Sequence, residues 1–308
     1  MTENNLKNAK STASILLNGI YPPIPTPFDG DGNVYVDALV SNIALLSQFD
    51  LRGFVVLGSN GEYVMLSERE KILVMEAARS VIPPDRLMIA GTGGQSTSET
   101  VNLTLKAAEI GADAALVITP SYYKNQMTPE ALITHYHTVA ENSPIPVLIY
   151  NMPANTGIDL DTDLISAIAR HPNIIGLKES GGNVVKIGTI RAQENPAFQV
   201  LAGSAGFLLP ALSVGAIGGV LALANIAPGH CIAIQQLHSE GRVKDAQNLQ
   251  LSLIALNTAV TSKWGVPALK AAMDIMGMYG GPVRSPLLPL SGDNKKIIQA
   301  MLNKAGLK

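Results

Sequence analysis

Along the chain, short apolar runs rich in β-branched residues alternate with longer stretches whose apolar positions recur at helical spacing. From Gly19 onward the runs fall at residues 20–25, 53–58, 87–91, 114–119, 147–151, 174–178, 199–203 and 218–223. They recur about every 30 residues, the spacing of repeated strand–helix units. Most are apolar at every position rather than at alternate ones. A strand covered on both faces reads that way, as in a parallel sheet flanked by helices.

The intervening segments carry helix signals. Ser67-Glu68-Arg69-Glu70 forms a capping box that opens an apolar-periodic run to about Val81. Ser96-Thr97-Ser98-Glu99 is a second one, with Gly111 placed to close its helix. Asp161 or Thr162 opens another, and Pro172 stops it near His171. Strand alternating with helix means parallel α/β. Eight runs at this spacing favour a closed (β/α)8 TIM barrel over a doubly wound sheet. Stretches over residues 229–240, 242–260 and 264–278 predict a C-terminal α-helical extension packed on the barrel. The expected organisation is a flexible lead-in over 1–18, the barrel over 19–228 and the helical region over 229–308.

Composition narrows the function. Of the 308 residues, 47% are hydrophobic and 15% charged, enough apolar material for a large core. The net charge is −2 and no Lys/Arg run occurs, which disfavours nucleic acid and membrane surfaces as partners. Cys231 is the lone cysteine, so no disulfide forms within the chain. Residues 1–18 are polar, then briefly apolar, without arginine or a long apolar core. They resemble neither a secretory signal nor an ordinary presequence. A cytoplasmic location is expected, or a mitochondrial one if residues 1–18 act as a presequence.

In a barrel, chemistry sits where the strands end. The polar residues ending the runs are Thr26, Ser59-Asn60, Thr92, Ser121-Tyr122-Tyr123, Tyr150-Asn151, Lys178-Glu179-Ser180, Ser204 and Asn225. Lys178 is the most informative. It emerges from Ile174-Ile175-Gly176-Leu177, and a lysine kept from water can attack a carbonyl as the neutral amine. The bland alternative is a lysine paired with a carboxylate, and Glu179 is adjacent. Tyr150 ends the preceding run, so its phenol is placed about 5 Å away on the neighbouring strand; an ordinary amphipathic tyrosine is equally consistent. Gly58-Ser59-Asn60-Gly61-Glu62 joins strand to helix as a loop that could approach a carboxylate, or as a simple turn. Metal ligation is unsupported. His135 and His137 are two apart on a helix and diverge, and no Cys-x-x-Cys or His-x-x-x-His occurs.

Taken together, GSNGE (58–62), TPSYY (119–123), YNMPANTG (150–157), GLKES (176–180) and GGPVRSPL (280–287) resemble the dihydrodipicolinate synthase / N-acetylneuraminate lyase superfamily of pyruvate-dependent class I aldolases. The likeness runs from about Tyr21 to the end. It implies that Lys178 forms a Schiff base with a 2-oxo acid and that Tyr150 carries protons. It implies that Ser59 and Asn60 bind the substrate carboxylate and relay toward Tyr150. Ser180, Gly203 and Asn155 complete the substrate-binding set. Tyr122 matches a tyrosine that a neighbouring subunit inserts, which implies a homotetramer built as a dimer of dimers. No cofactor or metal is implied.

Departures point to the subfamily. Ser59-Asn60 stands where the synthases have two threonines, and Asn155 where they have an arginine. Ser204-Ala205-Gly206-Phe207 and Ala222 stand where sialic acid lyases have polar residues for a polyol tail. The combination resembles 4-hydroxy-2-oxoglutarate aldolase. A 3-deoxy-2-oxo sugar acid aldolase or dehydratase and a synthase-type condensation are the alternatives within the superfamily. A metal-dependent barrel aldolase and a non-catalytic barrel are the competing classes. The matched positions supply no cation for a distal carboxylate.

Overall fold

The computed structural model describes residues 15–193 and 196–307. Its centre is a sheet of eight strands: β1 (Gly19–Tyr21), β2 (Gly53–Val56), β3 (Leu87–Gly91), β4 (Ala114–Ile118), β5 (Val147–Asn151), β6 (Ile174–Glu179), β7 (Gln199–Ala202) and β8 (Gly218–Val220). All pairings are parallel, in the order β1-β8-β7-β6-β5-β4-β3-β2. Closure between β1 and β2 runs through three backbone bonds: Arg52 N–H to Ile20 O at 3.1 Å, Val55 N–H to Pro22 O at 3.1 Å and Ile24 N–H to Val55 O at 2.9 Å. Pro22 and Pro23 have no N–H to donate, so this seam is sparser than the others. The result is the (β/α)8 barrel that the run spacing predicts.

Between and after the strands lie α1 (Val36–Leu46), α2 (Glu68–Val81), α3 (Thr97–Ile110), α4 (Pro129–Asn142), the single turn α5 (Pro153–Thr156), α6 (Thr162–Ile168), α7 (Val184–Gln193) and α8 (Leu208–Ser213). Most local signals operate as read. The Ser67–Glu70 capping box is reciprocal, Gly111 closes α3 at φ 97°, and Asp161 caps α6. The second expected box forms by half: Ser96 accepts from Glu99 N–H, but the Glu99 carboxylate turns to Gln95 N–H. Helix α6 stops at Ile168, earlier than Pro172 suggests. Four further helices follow β8: α9 (Pro228–Ser239), α10 (Val243–Thr258), α11 (Gly265–Ile275) and α12 (Gly292–Lys304). A π-helical turn, Ala259–Lys263, joins α10 to α11. Helix α12 lies outside the three expected stretches. It buries only Ile298 and Leu302, too thin a stripe to stand out in the pattern.

The core has two layers. Tyr21, Val55, Ile89, Leu116, Ile118, Leu148, Tyr150, Leu201 and Val220 fill the barrel interior. Val56, Val117, Val147, Ile149, Leu177 and Val200 face the helices. Both faces of each strand are therefore dry, which is why the runs do not alternate. Of the expected lead-in, residues 1–14 lie outside the described residues. Leu17 is fully buried at the strands' N-terminal end, and its N–H donates to Gln199 Oε1 at 2.7 Å, so packed chain begins before the boundary expected at Gly19.

Candidate active site

Strand alternation decides which strand-end residues face the barrel mouth. On β5, Leu148 and Tyr150 point inward while Val147 and Ile149 point out. On β6, Leu177 points out, so Lys178 points in and Glu179 out. Tyr150 and Lys178 are direct partners in the β5–β6 register. Lys178 Nζ consequently lies 3.9 Å from the Tyr150 ring centroid, and both residues are 4% exposed.

The bland reading of Lys178 paired with Glu179 is not what the fold builds. Glu179 is fully buried behind the strand and bonded away from the mouth. Its Oε2 accepts from Asn151 Nδ2 at 2.8 Å, its Oε1 from Gly181 N–H at 2.5 Å, and its ammonium neighbour is Lys186 at 3.8 Å. Asn151 also donates to Asp159 Oδ1 at 2.7 Å and accepts from Leu160 N–H at 3.1 Å, and Lys186 pairs with the same Asp159. Burial pushes the Glu179 carboxyl above the usual range, against the pull of Asn151 and Lys186. Among the described residues no ion pair involves Lys178.

Ser59 and Asn60 lie in a short 3₁₀ turn, Ser59–Gly61, directly after β2. Ser59 Oγ is 3.3 Å from Tyr150 Oη, longer than the ~2.7–2.8 Å of a tight hydroxyl pair, and room for adjustment remains. Asn60 Nδ2 and Ser180 Oγ are buried with no hydrogen-bond partner among the described residues. Buried polar groups are nearly always satisfied, and these two orphans follow β2 and β6 at the end of the barrel that carries Lys178, where a ligand's oxygens could satisfy them. Gly203 makes room for one of them: a Cβ there would stand 1.9 Å from Ser180 Oγ.

Other strand-end polar residues are bonded within the fold. Thr92 Oγ1 accepts from Thr104, and Ser204 pairs with Asn257. Asn225 Nδ2 donates to Pro23 O and Ala222 O, while its Oδ1 is buried without a partner among the described residues. Thr26 donates to Gly61 O at 2.7 Å and thereby grips the Ser59–Gly61 turn. Tyr122 does not join the site within one chain. Its ring is 80% exposed and stacks edge-on against Tyr123, with centroids 5.1 Å apart. Asn155 is exposed on α5.

Three features were not legible beforehand. Tyr63 flanks Tyr150 across a cavity of about 10 Å³, and burial, with Tyr150 nearby, pushes its phenol up to about 12. Glu62 ends the Ser59–Gly61 turn and forms a buried ion pair with Lys270. Lys124 is the one Lys or Arg in the eight strand-to-helix loops. Its ammonium lies against Gly157, where φ is 66° and a Cβ would stand 2.3 Å from Nζ. A larger cavity of about 740 Å³ is lined by Gly19, Arg52, Arg86, Ile217 and Gln235. Arg52, Arg86 and Ile217 immediately precede strands and Gly19 begins one, which puts this cavity at the end opposite Lys178. Among the described residues no group of three or more His, Cys, Asp or Glu could hold a metal, and no helix is long and apolar enough to cross a membrane.

A closed parallel barrel with a buried lysine, a phenol and unpaired polar atoms of Asn60 and Ser180 where its strands end is the architecture of a TIM-barrel enzyme. The family model for the dihydrodipicolinate synthetase family matches residues 16–305, and the chain belongs to that family as a carbon–carbon lyase. It is 39% identical over 295 residues to a probable 4-hydroxy-2-oxoglutarate aldolase, mitochondrial, of Emericella nidulans, covering 94% of this chain and 95% of that protein. It is 36% identical over 292 residues to a 4-hydroxy-tetrahydrodipicolinate synthase of Methanothrix thermoacetophila, covering 94% and 97%. Among solved structures, the 4-hydroxy-tetrahydrodipicolinate synthase of Methylacidiphilum fumariolicum SolV superposes with a TM-score of 0.90 at 29% identity, covering 94% of this chain and 96% of that one. YagE of E. coli K12, in complex with pyruvate, gives 0.89 at 29% identity, covering 96% and 100%.

Proposed function

We propose that the chain is a Schiff-base aldolase that cleaves 4-hydroxy-2-oxoglutarate to pyruvate and glyoxylate. The observation that carries this reading is the buried Lys178 amine, free of any carboxylate and 3.9 Å from the ring of Tyr150, whose hydroxyl meets Ser59. The substrate's C1 carboxylate takes the orphaned Asn60 Nδ2 and the Ser59 hydroxyl. Neutral Lys178 adds to C2, and loss of water gives an iminium ion. Tyr150 removes the proton of the C4 hydroxyl, the C3–C4 bond breaks, and its electron pair moves into the iminium. Glyoxylate leaves. The enamine takes a proton at C3, and water releases pyruvate and the free amine. The iminium does the polarising that a metal would otherwise supply.

Ser180 Oγ, the second orphan, is assigned to the distal part of the substrate, with Gly203 leaving it space. The distal carboxylate needs a counter-charge, and Lys124 beside Gly157 is the cation the loops offer. Tyr122, exposed in one chain, is assigned to the relay of a neighbouring subunit in a dimer of dimers. A condensation of pyruvate with an aldehyde is the second reading, favoured by the synthase-named relative at 36% identity. A panel of 2-oxo acids with pyruvate release as readout separates the two. Faster release from 4-hydroxy-2-oxoglutarate than from any other member supports the aldolase, and condensation without cleavage removes it.

A further inference from the structure

Glu62, Lys270 and Arg284 are remote in sequence and meet beside the Ser59–Gly61 turn. Leu57 at φ 58° and Glu62 at φ 53° are the non-glycine residues in left-handed backbone among the described residues, and they bracket this turn. Side chains with a Cβ disfavour that conformation, so the surroundings must hold it. At Glu62 the holding groups are visible. Its carboxylate pairs with Lys270 Nζ at 2.6 Å, with both side chains 1% exposed, and its Oε2 accepts from Arg284 N–H at 2.9 Å.

The C-terminal segment covers this pair. Lys270 also donates to Pro282 O at 2.8 Å, and Gly280 packs so tightly that a Cβ would stand 1.9 Å from Lys270 O. The Phe28 ring lies 4.4 Å from Lys270 Nζ and 4.3 Å from the Arg284 guanidinium. Arg284 is itself anchored by two bonds to Glu70, of 3.0 and 2.6 Å. Covering a loop needs only apolar packing. A buried ion pair is costly to desolvate and weak evidence of stability, but it fixes direction.

We propose that Glu62 is a positioning residue: held by Lys270 and the Arg284 N–H, it sets the left-handed turn that aims Ser59 at Tyr150 and Asn60 at the substrate carboxylate. This rests on the proposed reaction, in which Ser59 and Asn60 receive a 2-oxo acid. The C-terminal motif GGPVRSPL then belongs to the active site through Glu62, although none of its residues touches substrate.

The test is borohydride trapping of pyruvate on the full-length protein, read as the pyruvate concentration for half-maximal trapping, together with Tm. Glu62→Gln removes the charge, and burial already holds the Lys270 ammonium below the usual lysine range, so Lys270 can shed its proton rather than stand unpaired. Glu62→Gln should raise the half-trapping concentration by about tenfold, the worth of a charge-assisted hydrogen bond. Glu70→Gln, which loosens the Arg284 anchor while a glutamine can still close the Ser67 capping box, lowers Tm and changes that concentration less than about twofold, since Arg284 keeps its bonds to Met65 O and Gly32 O. An unchanged value in Glu62→Gln, or an equal rise in Glu70→Gln, overturns the inference. If Glu62→Gln fails to fold, Lys270→Gln, which removes the ammonium that holds the Glu62 carboxylate, should shift the value in the same direction, and no shift overturns it. Absence of trapping in the wild type is a different outcome, which removes the Schiff-base reading and this inference with it.

Discussion

Tyr150 and Lys178 occupy matched positions on adjacent strands, and the next pair in register, Asn151 and Glu179, is hydrogen-bonded on the opposite face. The inward pair is thus held in place by an outward pair. Asp159 and the Leu160 N–H complete the partners of Asn151, so each of its side-chain polar atoms is bonded, and Lys186 pairs with both Asp159 and Glu179. A buried polar cluster that is fully satisfied rigidifies its strands. Here the strands it fixes are those carrying the amine and the phenol.

The first expectation concerns Lys178. Incubation with pyruvate and borohydride should attach one reduced pyruvyl group to the peptide that contains it. Full labelling of Lys178→Ala, or labelling of another lysine in the wild type, would refute the central assignment.

Tyr150→Phe removes the hydroxyl that meets Ser59 and leaves the ring over Lys178. Turnover should fall ~10²-fold or more, the typical worth of a positioned acid–base group, with Tm little changed. Near-normal turnover would take Tyr150 out of the proton relay.

Much of this was readable from the chain because its signals are local. An apolar run records a strand dry on both faces, and Ser67 and Glu70 record a helix start within four residues. Strand alternation then sends Lys178 and Tyr150 to the same side. The Glu62 lock was hidden because its partners are separated by as many as 222 residues and each reads as an ordinary surface charge. Thr92 and Ser204 looked like site residues because strand ends collect hydroxyls. What distinguishes them is that Thr104 and Asn257 already satisfy them, which only packing reveals. Helix α12 escaped because its buried stripe is two residues wide.

Assembly gives a third expectation. Tyr122 is exposed in the single chain and is assigned to a neighbour's relay. Tyr122→Phe should impair activity. Mixing it with Lys178→Ala protein under subunit exchange should restore part of it, because one mixed site then carries both native residues. A fully active monomer in solution would refute the shared site.

Acid should loosen the C-terminal lock. The Arg284 guanidinium, aided by Ser67, pulls the Glu70 carboxyl down from its ordinary 4.5 to about 2. A carboxylate depressed in the fold contributes stability that is complete above its unfolded value and lost as pH falls through the folded one. The Tm of Glu70→Gln should therefore lie below wild type above pH 4.5, and the gap should narrow as pH approaches 2. A gap that stays constant over this range would show that the Glu70–Arg284 pair is not the titrating element.

Substrate choice tests the reading most sharply. Asn155 is uncharged, and Ala222 and the 204–207 loop offer few partners for a polyol, Ser204 being bonded to Asn257. A tail that enters such a site loses water without regaining hydrogen bonds, and that penalty is the basis of strong discrimination. A short C5 dicarboxylate has no such tail. In the proposed reading its first carboxylate is assigned to Asn60 and Ser59, and its second to the one basic residue of the loops, Lys124. The kcat/KM for 4-hydroxy-2-oxoglutarate should exceed that for N-acetylneuraminate by ~10²-fold, about 3 kcal/mol of transition-state binding. Lys124→Gln should raise KM for the dicarboxylate by about tenfold, as for loss of a charged hydrogen-bond partner. It should leave the trapping of pyruvate, which has no distal carboxylate, at its wild-type concentration dependence. Equal loss for pyruvate and the dicarboxylate would show that Lys124 shapes the loop rather than the second carboxylate's site. Faster cleavage of a 3-deoxy-2-oxo hexonate than of the C5 acid would leave the aldolase chemistry standing and move the substrate to the sugar acids.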